Sequence, residues 1–134
     1  MKMTNKTAFL FPIFFLIVLS SSLTAAERIA VVTKIKGSVE VKSAGKSGFI
    51  PLKKGVVLND RDFVRTGSNG ALIIVYLDDK SMLQLKSHSG LEIRGTRSGK
   101  GLSKNVDMIA GTIKADIPKQ RKGDFVITTP TSVA

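Results

Sequence analysis

The chain contains one histidine, His88, so acid–base chemistry has a single imidazole to draw on. It lies in Lys86-Ser87-His88-Ser89-Gly90, with a serine on either side. A catalytic base needs a nucleophile and an orienting acid brought to it by the fold, and adjacency in sequence supplies neither. The small, polar neighbourhood predicts a turn residue. Zinc needs several His or Cys ligands, and one histidine with no cysteine cannot provide them, so no metal is expected. Asp60/Asp62 and Asp78/Asp79 are the close carboxylate pairs, the residue types of glycoside hydrolysis or calcium binding. Both stand where turns are expected, each with a lysine or arginine beside it, which predicts a structural role. Gly95, Gly99 and Gly101 belong to no strand-to-helix unit, so they make no nucleotide-binding fingerprint and no cofactor is expected. With no catalytic constellation, the chain reads as a non-enzyme.

The remaining chemistry is charge. Lys and Arg number 21 against 10 Asp and Glu, a formal net charge of +11. Such a balance fits either a lysine-rich solvated surface or affinity for polyanions such as lipopolysaccharide, acidic glycans or nucleic acid. The densest basic stretches are Gly95 to Lys104 (GTRSGKGLSK) and Lys119 to Gly123 (KQRKG). They nominate Arg94, Arg97, Lys100, Lys104, Lys119, Arg121 and Lys122 as polyanion-binding residues. A dedicated nucleic-acid binder would add stacking aromatics. Beyond the first 26 residues the chain has only Phe49, Phe63, Phe125 and Tyr76, each in or beside an apolar strand pattern that predicts core packing. No specific nucleic acid is expected.

The elements that must position these residues begin after a targeting segment. Lys2 and Lys6 form a basic head, Ala8 to Leu19 an apolar run, and Ser20 to Ala26 a small-residue tail ending in Thr24-Ala25-Ala26. This is the three-part pattern of a secretory signal peptide, here residues 1–26, expected to be helical and cleaved. The apolar run is shorter than the roughly 20 residues of a membrane span and contains Pro12. The membrane is therefore expected to matter only during export, and the product to be periplasmic or secreted. Cleavage after Ala26 leaves 108 of the 134 residues, 27–134, enough for one domain. The total lack of cysteine means that packing alone must hold that domain.

The mature chain predicts an all-β fold. Period-two alternation marks strands with one buried face: Val39 and Val41, Leu83 and Leu85, Leu91 and Ile93, then Ile113, Ala115 and Ile117, each set interleaved with polar or charged residues. Ile29 to Val32 and Ala71 to Leu77 are apolar throughout, and the second predicts a central strand covered on both faces. Thr66-Gly67-Ser68-Asn69-Gly70 carries an Asn-Gly pair between apolar runs, which predicts a hairpin from Asp62–Arg65 to Ala71–Leu77. Asp78-Asp79-Lys80 predicts a second hairpin to Met82–Leu85, completing a meander. The two basic stretches predict loops. Short antiparallel strands in this arrangement point to a sandwich- or solenoid-like domain.

In order and spacing, several segments resemble the FecR-type domain, the periplasmic region of ferric-citrate-type transmembrane signalling regulators. They are Ile35-Lys36-Gly37-Ser38-Val39-Glu40-Val41, Leu52-Lys53-Lys54-Gly55 with Leu58-Asn59-Asp60, and Val64-Arg65-Thr66-Gly67 with Asn69-Gly70-Ala71. Further on come Val75-Tyr76-Leu77-Asp78-Asp79-Lys80-Ser81, Ile109-Ala110-Gly111-Thr112-Ile113 and Phe125-Val126-Ile127-Thr128-Thr129-Pro130. The resemblance spans nearly all of 27–134. Two departures stand out. The family's Asp-Gly-Ser turn is Asp79-Lys80-Ser81 here. The family also continues past Thr129-Pro130 into another strand, which implies a β domain incomplete at its C-terminus, with an open edge near Phe125–Ile127 and a tendency to self-associate.

Together these readings predict an exported, non-catalytic interaction module of the cell envelope, contacting an as yet unnamed protein partner. The first alternative is a basic envelope protein that binds a polyanion or glycan. The second is the periplasmic part of a sigma-regulator signalling system, which a signal peptide placed directly before the domain disfavours.

Overall fold

Each alternating segment has one apolar face to hide, and in the computed structural model those faces meet in a single cluster. The structure describes residues 27–99, 101–119 and 123–130. The expected signal peptide, residues 1–26, lies outside the described residues. Among them the chain forms β1 (Arg28–Lys36), β2 (Val39–Lys42), β3 (Ile50–Pro51), β4 (Val57–Asn59), β5 (Phe63–Thr66) and β6 (Ala71–Tyr76). These are followed by β7 (Met82–Leu85), β8 (Gly90–Ser98), β9 (Gly101–Ala110), β10 (Ile113–Asp116) and β11 (Phe125–Thr128). The fold is all-β, as the alternation predicts.

The strands divide into a five-stranded sheet, β10-β7-β6-β1-β4, and a six-stranded sheet, β11-β9-β8-β5-β2-β3. Every pair is antiparallel except β11, which runs parallel to β9 with Phe125 opposite Lys104 and Ile127 opposite Val106. The core draws on both sheets. Ile29, Val32, Leu72, Ile74, Tyr76, Leu83 and Leu85 come from the first, and Val39, Val41, Val64, Leu91, Ile93 and Val106 from the second. This is a two-sheet sandwich closed by apolar burial, each buried Leu, Ile or Val contributing roughly 1.5–3 kcal/mol.

Four local expectations differ from what forms. The Asn69-Gly70 turn is not a hairpin, because β5 and β6 belong to different sheets. Neither residue adopts a positive φ. Gly70 is required for close approach instead: a β-carbon there would overlap the Ser38 carbonyl oxygen and sit 2.9 Å from the Gly67 nitrogen. The central strand β6 is covered on one face only, with Leu72, Ile74 and Tyr76 buried and Ala71, Ile73 and Val75 half-buried. The presumed loop Gly95–Lys104 is the far end of a long β8–β9 hairpin, in register from Leu91↔Met108 to Ser98↔Gly101. Its glycines and serines conceal the alternation Leu102, Lys104, Val106, Met108 that faces the core. Finally, β10 is an edge strand in which Ile113 is half-buried while Ala115 is exposed; beyond it Ile117 is 37% exposed, so the predicted buried face thins out.

The second predicted turn does form, as the β6–β7 hairpin. Lys80 adopts a φ of 63° there, taking the left-handed conformation that glycine accepts freely. The lysine keeps the turn at an energetic cost and leaves its geometry intact.

Candidate functional site

Among the described residues, the nominated polyanion-binding side chains Arg94, Arg97, Lys104 and Lys119 are not assembled as one patch. Arg94 projects from the outer face of β8, where its guanidinium lies 2.8 Å from Glu92 and 3.3 Å from Asp107. The hydrogen bond that Arg94 donates to Glu92, reinforced by the charges of Glu92 and Asp107, holds Arg94 above its ordinary pKa range. Arg97, near the hairpin tip, pairs with Glu27 at 2.7 Å. Lys119 is exposed just beyond Pro118. Lys100, Arg121 and Lys122 lie outside the described residues.

Lys104 is the clear correction. Its side chain is fully buried, with Nζ 2.6 Å from Asp78 and 2.9 Å from Asp79, so it cannot belong to a surface. The inward phase of β9 places it between Leu102 and Val106. Its ammonium lies 5.7 Å from the Tyr76 ring centroid and 5.9 Å from that of Phe125. Those two rings meet edge to face at 5.2 Å. The cluster thus joins the β6–β7 turn of one sheet to β9 and β11 of the other. Asp78/Asp79 are more than turn residues: they neutralise a charge that would otherwise be stranded in the core.

The other chemically suggestive residues have structural employment. His88 is exposed in the turn between β7 and β8, its backbone at a φ of 53°, and its amide donates to the Gly67 carbonyl. The neighbouring Ser89 is buried and bonded to Thr66 and Thr112. Asp62 is buried and accepts from the backbone amides of Ala44 and Asn59. Asp60 accepts from the amide of Gly95. Among the described residues no cluster of His, Cys, Asp or Glu could hold a metal ion. Phe49 and Phe63 form an edge-to-face pair at 5.9 Å, with Arg65 stacked 3.5 Å from the Phe49 centroid, so that ring face is already covered.

What single segments could not reveal is the contrast between the two outer faces. On the six-stranded sheet, arginines are matched to acids, Arg94 to Glu92 and Asp107 and Arg65 to Glu40. A groove of about 350 Å³ crosses that face past Arg94, Thr96, Ser103, Asn105 and Val126.

On the five-stranded sheet, register lines up Val57, Val31, Val75 and Met82 across four strands. The next row runs Lys34, Ile73, Gln84, Lys114, and Lys36 stands opposite Ala71. Lys34, Lys36 and Lys114 are exposed and make no ion pair with a described residue. A groove of about 230 Å³ is lined by Lys34, Lys36, Ala71, Leu72, Ile73 and Gln84. A second, of about 130 Å³, adjoins it at Gln84 and is bounded by Met82, Lys114 and Asp116. The result is a shallow trough with an apolar floor and unneutralised lysines along it.

Compared with known proteins, residues 62–134 match the family model described as FecR protein. No curated protein and no solved structure matches the chain. The matched span runs from the start of β5 through β11 and so contains the whole Lys104 cluster.

Proposed function

The chain belongs to the FecR protein family, and from that premise we propose that it is a non-catalytic protein-interaction module of the bacterial envelope, acting on the periplasmic side of a sigma-regulator signalling system as a separately exported polypeptide, a role that a signal peptide directly before the domain permits. The observation that carries this reading is the family match across 62–134. The distribution of polar groups agrees with it. Asp60, Asp62, Ser89 and Lys104 hold turns and strands together. The chemistry left to the exterior is that of broad sheet faces and edges, the surfaces through which β domains bind other polypeptides.

The test is native electrophoresis of the envelope fraction from producing cells. The protein should migrate in a larger assembly with a second, different polypeptide. Migration as a free monomer under every growth condition would contradict the proposal.

A further inference from the structure

We infer that the outer face of the five-stranded sheet is the docking surface, and that its partner is an acidic, amphipathic polypeptide segment carrying alternating apolar and carboxylate side chains. The inference rests on the interaction-module reading and specifies its surface. Its basis is the charge imbalance along the trough. Lys34 and Lys36 on β1 and Lys114 on β10 flank the β6 and β7 residues Ala71, Ile73 and Met82 from opposite sides, and of the residues lining the two grooves only Asp116 is acidic. On the opposite outer face, Arg65 and Arg94 are instead paired with acids on neighbouring strands.

Lysines that pair with no described acid, set beside half-buried Val31, Ile73 and Val75, complement a ligand that supplies carboxylates and apolar side chains together. Half-buried valine and isoleucine form a recessed floor, which suits an extended segment laid along the trough. A lipid surface would call for several protruding apolar side chains, and in these rows Met82 is the one exposed apolar residue. The rim lysines would steer and orient the segment, and the apolar floor would hold it.

The experiment uses the full chain, isotopically labelled, titrated with a capped peptide of alternating leucine and glutamate. A leucine–lysine peptide and phosphatidylglycerol vesicles serve as comparison probes. The expected result is saturable movement of the Lys34, Ile73, Gln84 and Lys114 amide signals with the acidic peptide, weakening as salt rises. The triple variant K34E/K36E/K114E, which alters only exposed side chains, should keep its melting temperature. It should bind the acidic peptide at least about tenfold more weakly and gain affinity for the leucine–lysine peptide. Unchanged affinity in that variant, signal movement confined to the six-stranded sheet, or binding to the vesicles alone would each overturn the inference. A chain that assembles with a partner in the envelope yet fails this titration refutes the surface and leaves the module standing. One that binds the peptide but migrates alone in cells refutes the module.

Discussion

At the residue scale, Lys104 sets the terms. A buried ammonium is tolerable only with close counter-charge, and Asp78 and Asp79 supply it at 2.6 and 2.9 Å. Lys104→Met should therefore leave two carboxylates facing an apolar wall and cost about 3 kcal/mol in urea unfolding. Adding Asp78→Asn and Asp79→Asn should restore part of that loss, whereas a Lys104→Met protein as stable as the parent would refute the clamp. Tyr76 gives a pH signature in the same cluster. Its hydroxyl is buried with no hydrogen-bond partner among the described residues, and burial together with Asp78 and Asp79 raises its pKa. The sign follows directly. Below about pH 10 the phenol is protonated in both states and contributes no pH dependence. Above that, the unfolded chain ionises while the folded one holds its proton, so stability falls by about 1.4 kcal/mol per pH unit from this group. Tyr76→Phe should be neutral or slightly stabilising at pH 7 and should reduce the alkaline slope in denaturation curves taken across that range. Lys80 completes the set: Lys80→Gly relieves a left-handed lysine and should raise stability by about 1 kcal/mol. Of these roles, sequence revealed only the turn at 78–80. Lys104 was illegible because alternation assigns charged residues to the solvent side, and its counter-ions lie 26 residues away along the chain.

At the scale of elements, alternation succeeds where strands have one wet face, as in β2, β7 and β8, because burial of alternate residues fixes the register. It fails where sheet membership matters. Nothing in Asn69-Gly70 distinguishes a hairpin from a passage between sheets, since both need a tight turn after a strand. The structure separates the two by what each residue does. Gly70→Ala should cost about 2 kcal/mol or more through overlap with the Ser38 backbone. Asn69→Ala should cost less than about 1 kcal/mol, since its contact with the Ser38 amide is a long 3.4 Å. Equal effects in thermal unfolding would restore the hairpin interpretation. Ile74, fully buried in the central strand β6, sets the other limit. Ile74→Asp should abolish cooperative folding, because an unpaired carboxylate would sit among Leu72, Tyr76 and Leu83. A soluble variant with a sharp melting transition would argue against that core.

For the whole molecule, the fold uses its interior charge and the arginines Arg65 and Arg94 to join one strand to the next, and leaves one broad face with lysines that make no ion pair with a described residue. That contrast was beyond the reach of sequence reasoning. Lys34, Lys36 and Lys114 look like ordinary solvated positions in their own segments, and only the order β10-β7-β6-β1 brings them onto one face, at either side of β6 and β7. Of the basic residues that stand out in sequence, Arg97 is neutralised by Glu27 near the hairpin end and Lys104 forms a buried ion pair. The central claim is that this protein works through a sheet face and not through a reactive pocket. Photo-crosslinking in producing cells tests it most directly, with a reporter at position 73 on the lysine-rimmed face and another at position 105 on the arginine-paired face. A discrete adduct with a second polypeptide from position 73, and none from 105, is the predicted result; adducts from 105 alone, or from neither, would contradict it.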